Sequence, residues 1–256
     1  MDVLVCVKRV PMVGASITLT ENGQDVDTRF LGFTVSPHEE CAVEEAVRLA
    51  QATGGRSTVL TLGPEDASKQ LRDALAMGVG EAVLLQTDGQ QWGPQATAAA
   101  IAAAIAARDA AGRHDDLLLF GNEAADTGDY QVPIRVAHLL GRPCVTGIKS
   151  LQLDGDTVRA TREYSGVMES YRLSLPAVIA VREGINLPRY PSLPGRIKAK
   201  KAVIDQLPAG WCSEPLRTRR LRVPAGSRRQ TEVLGNGAEA VPRMVQLLRE
   251  LGLVDR

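Results

Sequence analysis

Aromatic side chains are scarce in this chain: tryptophan, tyrosine and phenylalanine make up 4% of its 256 residues. So few rings leave little from which to build the stacking platforms that bind single-stranded nucleic acid. Net charge is missing as well, because 30 basic residues balance 30 acidic ones. No global field therefore gathers nucleic acid or an anionic membrane. The four cysteines, Cys6, Cys41, Cys144 and Cys212, are scattered and fit neither a CxxC knuckle nor a disulfide framework. Reduced thiols are the expectation. His38, His114 and His138 fall in different predicted elements, so no metal site is read from them. Apolar runs stop short of membrane-spanning length; Ala96–Ala107 is too short and too rich in alanine. The start, MDVLVCVKRVP, lacks the positive, apolar, small order of a signal peptide. A soluble, cytoplasmic protein is expected.

Familiar nucleotide motifs are absent too. Neither GxGxxG nor a Walker A loop follows the first apolar run, Val3–Val7. What is present is alternation. Val3–Val7 reads as a strand covered on both faces. Ser36-Pro37-His38-Glu39 then supplies a capping oxygen, a proline at the first helical position and a glutamate for a capping box. Ala42, Val43, Ala46, Val47 and Ala50 form the buried stripe of that helix, and Gly54-Gly55 stops it. Strands are predicted at Thr58–Leu62, Ala82–Leu85, Leu117–Phe120 and Cys144–Thr146. Helices are predicted from Gly63 to Met77, at Ala96–Ala107 and at Val132–Leu140. This alternation over ~150 residues predicts an α/β fold, a doubly wound and mostly parallel sheet.

From Ile148 the texture changes to a three-stranded antiparallel meander, with turns at Asp154-Gly155 and Ser165-Gly166. Ala177–Val181 reads as a further buried strand. An amphipathic helix near Ala238–Leu251 closes the chain. The expected division is an α/β domain over 1–204 and, over 205–256, a proline-spaced, arginine-rich arm ending in that helix. Arg217, Arg219, Arg220 and Arg222 in the arm lack interleaved aromatics, which argues for protein packing over RNA.

Ligands of open parallel sheets bind beyond the carboxyl ends of the strands, where strand order reverses. Of the segments leaving those ends, Gly121–Gln131 (GNEAADTGDYQ) is small, polar and placed before a helix. Its backbone N–H groups and the helix N-terminus suit a phosphate. Asp129 and Tyr130 can accept from ribose hydroxyls or stack on a ring. Ordinary tight turns explain the glycines equally well. The pattern alone reaches a nucleotide-sized anionic ligand and stops there.

Several blocks, in order, resemble the electron transfer flavoprotein beta-subunit family: VLVCVKRVP, SPHEECAVEEAVRLA, TLGPEDASKQLRDALAMG, LLLFGNEAADTGDYQVP, LPAVIAVREGINLPRYPSLPGRIKAKK and a terminal LRELGL. The resemblance implies a heterodimer with an alpha subunit carrying the redox FAD, and a beta subunit that binds AMP structurally, or FAD in bifurcating members. It implies an electron carrier without catalytic residues of its own. Electrons would come from acyl-CoA or other flavin dehydrogenases and leave to a quinone oxidoreductase-type acceptor. By matched position, the nucleotide would touch Cys6, Ser36, Pro37, His38, Glu39 and Leu62. It would also touch Gly121, Asn122, Glu123, Ala124, Ala125, Asp126, Thr127, Gly128, Asp129, Tyr130, Gln131 and Val132.

The family loop usually opens GKQAIDxD, whereas this chain has GNEAADTGD; Asp129 is electrostatically awkward beside a phosphate. Glu163 matches an acidic position near the alpha-subunit flavin, and Val13 stands where some relatives carry an aromatic. Glu183–Lys201 resembles the loop that anchors partner dehydrogenases. Leu193 would be its apolar anchor, Pro194 and the neighbouring prolines would stiffen it, and Arg196 and Lys198 would add steering. A stand-alone adenine-nucleotide sensor of the universal-stress type needs neither that loop nor the arm. A pyrophosphatase-class ligase would need SGGxDS after Val3–Val7, where KRVP stands.

Overall fold

Val3–Cys6 (β1) is buried at all four positions because it runs through the middle of a sheet covered on both faces. The computed structural model describes residues 1–12, 14, 17–87, 92–210, 218–224 and 232–254. Val13, Cys212 and Arg217 lie outside the described residues. After β1 come the short pair β2 (Val10–Pro11) and β3 (Phe33–Thr34), then α1 (Pro37–Thr53), β4 (Ser57–Gly63), α2 (Ser68–Met77) and β5 (Glu81–Gln86). They are followed by α3 (Pro94–Ala110), β6 (Leu117–Gly121), α4 (Val132–Leu140) and β7 (Cys144–Ile148). The meander is β8 (Ser150–Asp154), β9 (Thr157–Tyr164) and β10 (Val167–Ser174); β11 (Ala177–Val181), α5 (Leu193–Lys201), β12 (Asp205–Pro208) and α6 (Val241–Glu250) complete the order.

The main sheet runs β12-β5-β4-β1-β6-β11-β7, and every neighbouring pair is parallel. Successive residues of a strand face opposite sides. Val3, Val5, Leu117, Leu119 and Ile179 accordingly enter one core with α1 and α2, while Leu4, Cys6, Leu118, Phe120 and Val178 enter another with α3 and α4. The alanines of α3, such as Ala98 and Ala102, keep that helix close to the sheet while favouring helix formation. The sequence reading of a doubly wound, mostly parallel sheet with an antiparallel meander matches this architecture. At the second meander turn Ser165 and Gly166 both adopt positive φ, 51° and 76°, as a two-residue type I′ hairpin requires.

Two segments differ from expectation. The stretch Glu183–Lys201, expected to be a docking loop, becomes helical at Leu193. Ser192 caps that helix through Gly195 N–H (3.1 Å), and Pro194 sits in its first turn. Its other end is satisfied by Arg72, whose Nη1 donates to the carbonyls of Ala199 (2.7 Å), Lys200 (3.1 Å) and Ala202 (3.3 Å). Contact with α2, which buries Ala199, stabilises a helix whose own apolar periodicity is weak. Secondly, Asp205–Pro208, read as the start of the arm, is an edge strand beside β5. All four of its residues are exposed, so it shows no inside–outside alternation.

By internal contacts the chain forms two units, Met1–Arg219 and Arg220–Arg256. Within the second, α6 confirms the predicted terminal helix. None of its residues is buried, and Val241 and Met244 are exposed.

The start of α1 carries a complete capping box: Ser36 Oγ accepts from Glu39 N–H (3.2 Å) and Glu39 Oε2 from Ser36 N–H (2.9 Å). Replacing Ser36 by Ala is expected to lower unfolding free energy by about 1 kcal/mol in urea titrations. A change under about 0.3 kcal/mol would remove the cap from the account of this helix.

Candidate nucleotide crevice and docking segment

The chain leaves β1 through α1 for β4 on one side, and later crosses from β5 through α3 to β6 on the other side of β1. Because α1 and α3 cover opposite faces, a crevice opens at the carboxyl ends of these strands. A cavity of about 290 Å³ occupies it. The floor is apolar: Cys6, Leu60 and Phe120 are 5%, 0% and 4% exposed. Burial, with smaller contributions from Asp115 and Glu39, pushes the Cys6 thiol well above its ordinary range. Cys6 packs on this floor as a small apolar side chain.

Glu39 forms one wall. Its Oε1 accepts from Lys8 N–H (2.7 Å) while Oε2 caps its own helix, so one carboxylate ties α1 to the chain leaving β1. Gly121 closes the same corner. A Cβ there would lie 2.7 Å from Glu39 Cγ and 3.3 Å from Glu39 N, so only glycine lets β6 end against the first turn of α1.

Gly121–Val132 folds on itself, with Ala124 N–H donating to Asp129 O (2.9 Å) and Gly128 N–H to Ala124 O (2.7 Å). Of the residues expected to bind nucleotide, Cys6, Glu39, Leu62, Gly121, Glu123, Ala124, Asp129 and Val132 line the cavity. The others stand around it. Ser36 and Pro37 build the helix start, and His38 Nδ1 accepts from Glu183 N–H (2.7 Å) behind the wall. Asp126 pairs with Lys8 Nζ (2.7 Å), Tyr130 donates to Glu123, and Gln131 bonds Arg135. Asn122 N–H bonds Val181 O (2.9 Å), and Ala125, Thr127 and Gly128 are exposed on the outer loop.

Trp92, Thr87, Thr97 and Ile101, which line the side reached from β5, were not singled out from sequence. The only cue was Trp92-Gly93-Pro94, a helix start following a strand.

The segment expected to dock partners rests on the outer side of α1. Asn186 Nδ2 donates to Cys41 O (2.9 Å) and Glu45 Oε2 (2.9 Å). Arg189 grips the buried Glu44 from Nε (2.8 Å), Nη2 (3.1 Å) and its backbone N–H (3.1 Å). Burial alone would raise the Glu44 carboxyl; the Arg189 hydrogen bonds, with Arg48, outweigh it and hold the carboxyl below its ordinary value. This rigid base presents Leu193 72% exposed, with Tyr190 and Leu187 beside it. Pro194, Arg196 and Lys198 follow on the exposed part of α5, and the Arg196 guanidinium lies 5.2 Å from the Tyr190 ring centre.

An electron transfer flavoprotein domain model matches residues 27–210, which include the crevice loop and the docking segment. The chain is 36% identical to the electron transfer flavoprotein subunit beta of Bacillus subtilis over 222 residues, 84% of this chain and 85% of that protein. It is 32% identical to that of Mus musculus over 252 residues, 98% of each. It belongs to the electron transfer flavoprotein beta-subunit family. A third relative, the subunit beta of Syntrophomonas wolfei, is 37% identical over 78% of this chain and 77% of its own. Among the described residues no helix is long and apolar enough to cross a membrane.

Glu163, expected near the alpha-subunit flavin, lies near the tip of the β9–β10 hairpin opposite Met168. With Lys149, Ser165 and Arg182 they border a shallow hollow, and Tyr164, Val167 and Met168 are exposed around it.

Glu39 also makes the crevice wall sensitive to pH. Burial raises its carboxyl from an ordinary 4.5 to about 7, against the hydrogen bonds from Ser36 and Lys8 that favour the charged form. The folded chain thus retains a proton that the unfolded chain loses. The associated stability is full at low pH and is lost as pH rises between about 4.5 and 7. The total change is on the order of 3 kcal/mol. Glu39→Gln, which keeps an accepting oxygen, is expected to flatten the urea-derived stability profile over that window. An unaltered slope would exclude Glu39 as its source.

Proposed function

We propose that this subunit holds AMP in the crevice as a structural nucleotide, pairs with an alpha subunit carrying the redox FAD, and offers Leu193 to flavin dehydrogenases. Electrons then pass from the alpha-subunit flavin to a quinone oxidoreductase-type acceptor. The carrying observation is the coexistence, on opposite sides of α1, of an open crevice at the strand ends and an exposed leucine on a fixed segment.

The crevice suits an adenine mononucleotide in three respects. Its volume, about 290 Å³, lies at the small end of the ~300–1,000 Å³ typical of ligand pockets, enough for one base, a ribose and a phosphate. That volume matches a mononucleotide; an FAD would extend its flavin half beyond the cavity through its open mouth. The floor of Cys6, Leu60 and Phe120 offers an apolar surface to a purine face. In the first turn of α4, Val132 and Ile134 carry N–H groups that precede the first intrahelical bond (Pro133 has none), at the loop end where a phosphate would lie. Lys8 and Arg9 line the same crevice as Glu123 and Asp129, with Lys8 Nζ paired to Asp126 and the Arg9 guanidinium over Phe33.

The subunit transfers no atoms itself. Its residues bind, orient and dock. The prolines 188, 191 and 194 limit the unfolded states of the segment and so lower the ordering cost when a partner engages. Arg196 and Lys198 favour approach of an acidic partner surface. Exposed apolar residues at the hairpin tip around Glu163 suit contact with the alpha subunit close to its flavin.

Counting nucleotides released on denaturing the purified heterodimer tests the ligand. One AMP and one FAD are expected; two FAD and no AMP would replace the proposal with the bifurcating reading. For docking, Leu193→Ala is expected to slow dehydrogenase-coupled flavin reduction roughly tenfold or more, as loss of an interface anchor does. The visible flavin spectrum should stay unchanged. Coupling at the wild-type rate would remove Leu193 as the anchor.

A further inference from the structure

An exposed leucine is ordinary on a protein surface and by itself carries no meaning. Leu187 differs from an ordinary one in how its neighbours are held. It is 84% exposed, more than Leu193. The residues around it are tied to the body of the fold. Glu183 donates its N–H to His38 Nδ1 (2.7 Å), and its carbonyl accepts from Lys149 Nζ (2.5 Å). Ile185 packs against the core that α1 shares with the sheet. Asn186 reaches Cys41 O and Glu45 with its side-chain amide, and Arg189 is held on the buried Glu44 by its guanidinium and its own N–H.

Leu187 therefore stands on a backbone fixed at 186 and again at 189, with the ring of Pro188 limiting the chain between. Of residues 185–189 it alone is exposed; its neighbours are half-buried. A fixed apolar residue binds at a lower ordering cost than a mobile one, because its backbone freedom was already lost on folding. Interface anchors are side chains of this kind, seated in a pocket of the partner and surrounded by contacts that exclude water. Further exposed surface follows along the same segment. Tyr190 is 85% exposed with Arg196 over its ring, and Leu193 comes next.

We infer that Leu187 is a second partner-recognition residue, an apolar anchor fixed before docking that enters a pocket of its own on the flavin dehydrogenase. This rests on the proposed reading of Glu183–Lys201 as the docking segment. The partner it fits has two apolar pockets, one for Leu193 at the start of α5 and one for Leu187 beside the Glu44–Arg189 pair. A dehydrogenase with only the first pocket is recognised more weakly, so Leu187 sets selectivity among partners.

The test uses the FAD-containing heterodimer as the varied substrate of an acyl-CoA dehydrogenase from the same organism, with flavin reduction followed by absorbance. Leu187→Ala is expected to raise KM for the heterodimer about fivefold and to leave kcat unchanged. The flavin spectrum and the concentration at which the subunits separate should also stay unchanged. Leu187→Met, which keeps an apolar side chain, should restore most of the loss. Leu187→Gln, of similar length, takes the place of Leu187→Ala should that variant not fold. Wild-type KM in Leu187→Ala while Leu193→Ala slows reduction would overturn this inference and leave the docking segment standing. Weaker subunit association in Leu187→Ala would assign the leucine to the alpha-subunit contact and overturn it as well. Wild-type kinetics in both variants would remove the docking reading, and this inference with it.

Discussion

The carboxylate of Glu39 is the joint on which the site depends. It accepts from the backbone of Lys8 and from Ser36 at once, so the chain leaving β1 and the first turn of α1 are tied through one side chain. β6 then ends against the same turn, at a separation only Gly121 permits. The crevice floor and one wall are therefore set by the packing of regular elements. The irregular part is the loop after Gly121. Burial disfavours the charge on which this joint rests, and the hydrogen bonds only partly compensate. Such a compromise is common where a helix start must sit against a ligand site.

The same helix supports the second function. Its inner side packs on the sheet, and its outer side holds Asn186 and Arg189 through Cys41, Glu44 and Glu45. His38 links the two, since its ring accepts from the start of the docking segment and lies next to the crevice loop, 3.7 Å from Glu123. The crevice and the exposed leucine segment thus share one support, α1. The segment is stiff at its base and apolar at its tip, which limits the entropy lost on docking.

Much of this was legible in advance because it follows from local rules. Ser36, Pro37 and Glu39 spell a capping box in four residues, and Ser165-Gly166 spells a hairpin turn. Val3–Val7 and Ala177–Val181 are apolar at every position, which marks strands buried on both faces. β12 and α5 were not legible for the converse reason. An edge strand with four exposed residues needs no hydrophobic pattern, and a nine-residue helix capped by Arg72 from another element draws its stability from outside itself. Trp92 was not legible because its place is set by the fold. Nothing in Trp92-Gly93-Pro94 reveals that the residue lines the crevice.

The amino-acid order by itself determined the elements, their sequence and the two faces of each strand, since capping, turns and side-chain periodicity act over a few residues. It also carried the family, because blocks from one end of the chain to the other match in order. Only the tertiary structure decided which loop residues turn toward the crevice and which toward solvent, that Lys8 pairs with Asp126, and that Leu193 opens a helix. Those outcomes depend on contacts between residues dozens to more than a hundred positions apart, where packing and burial act and sequence spacing has no say.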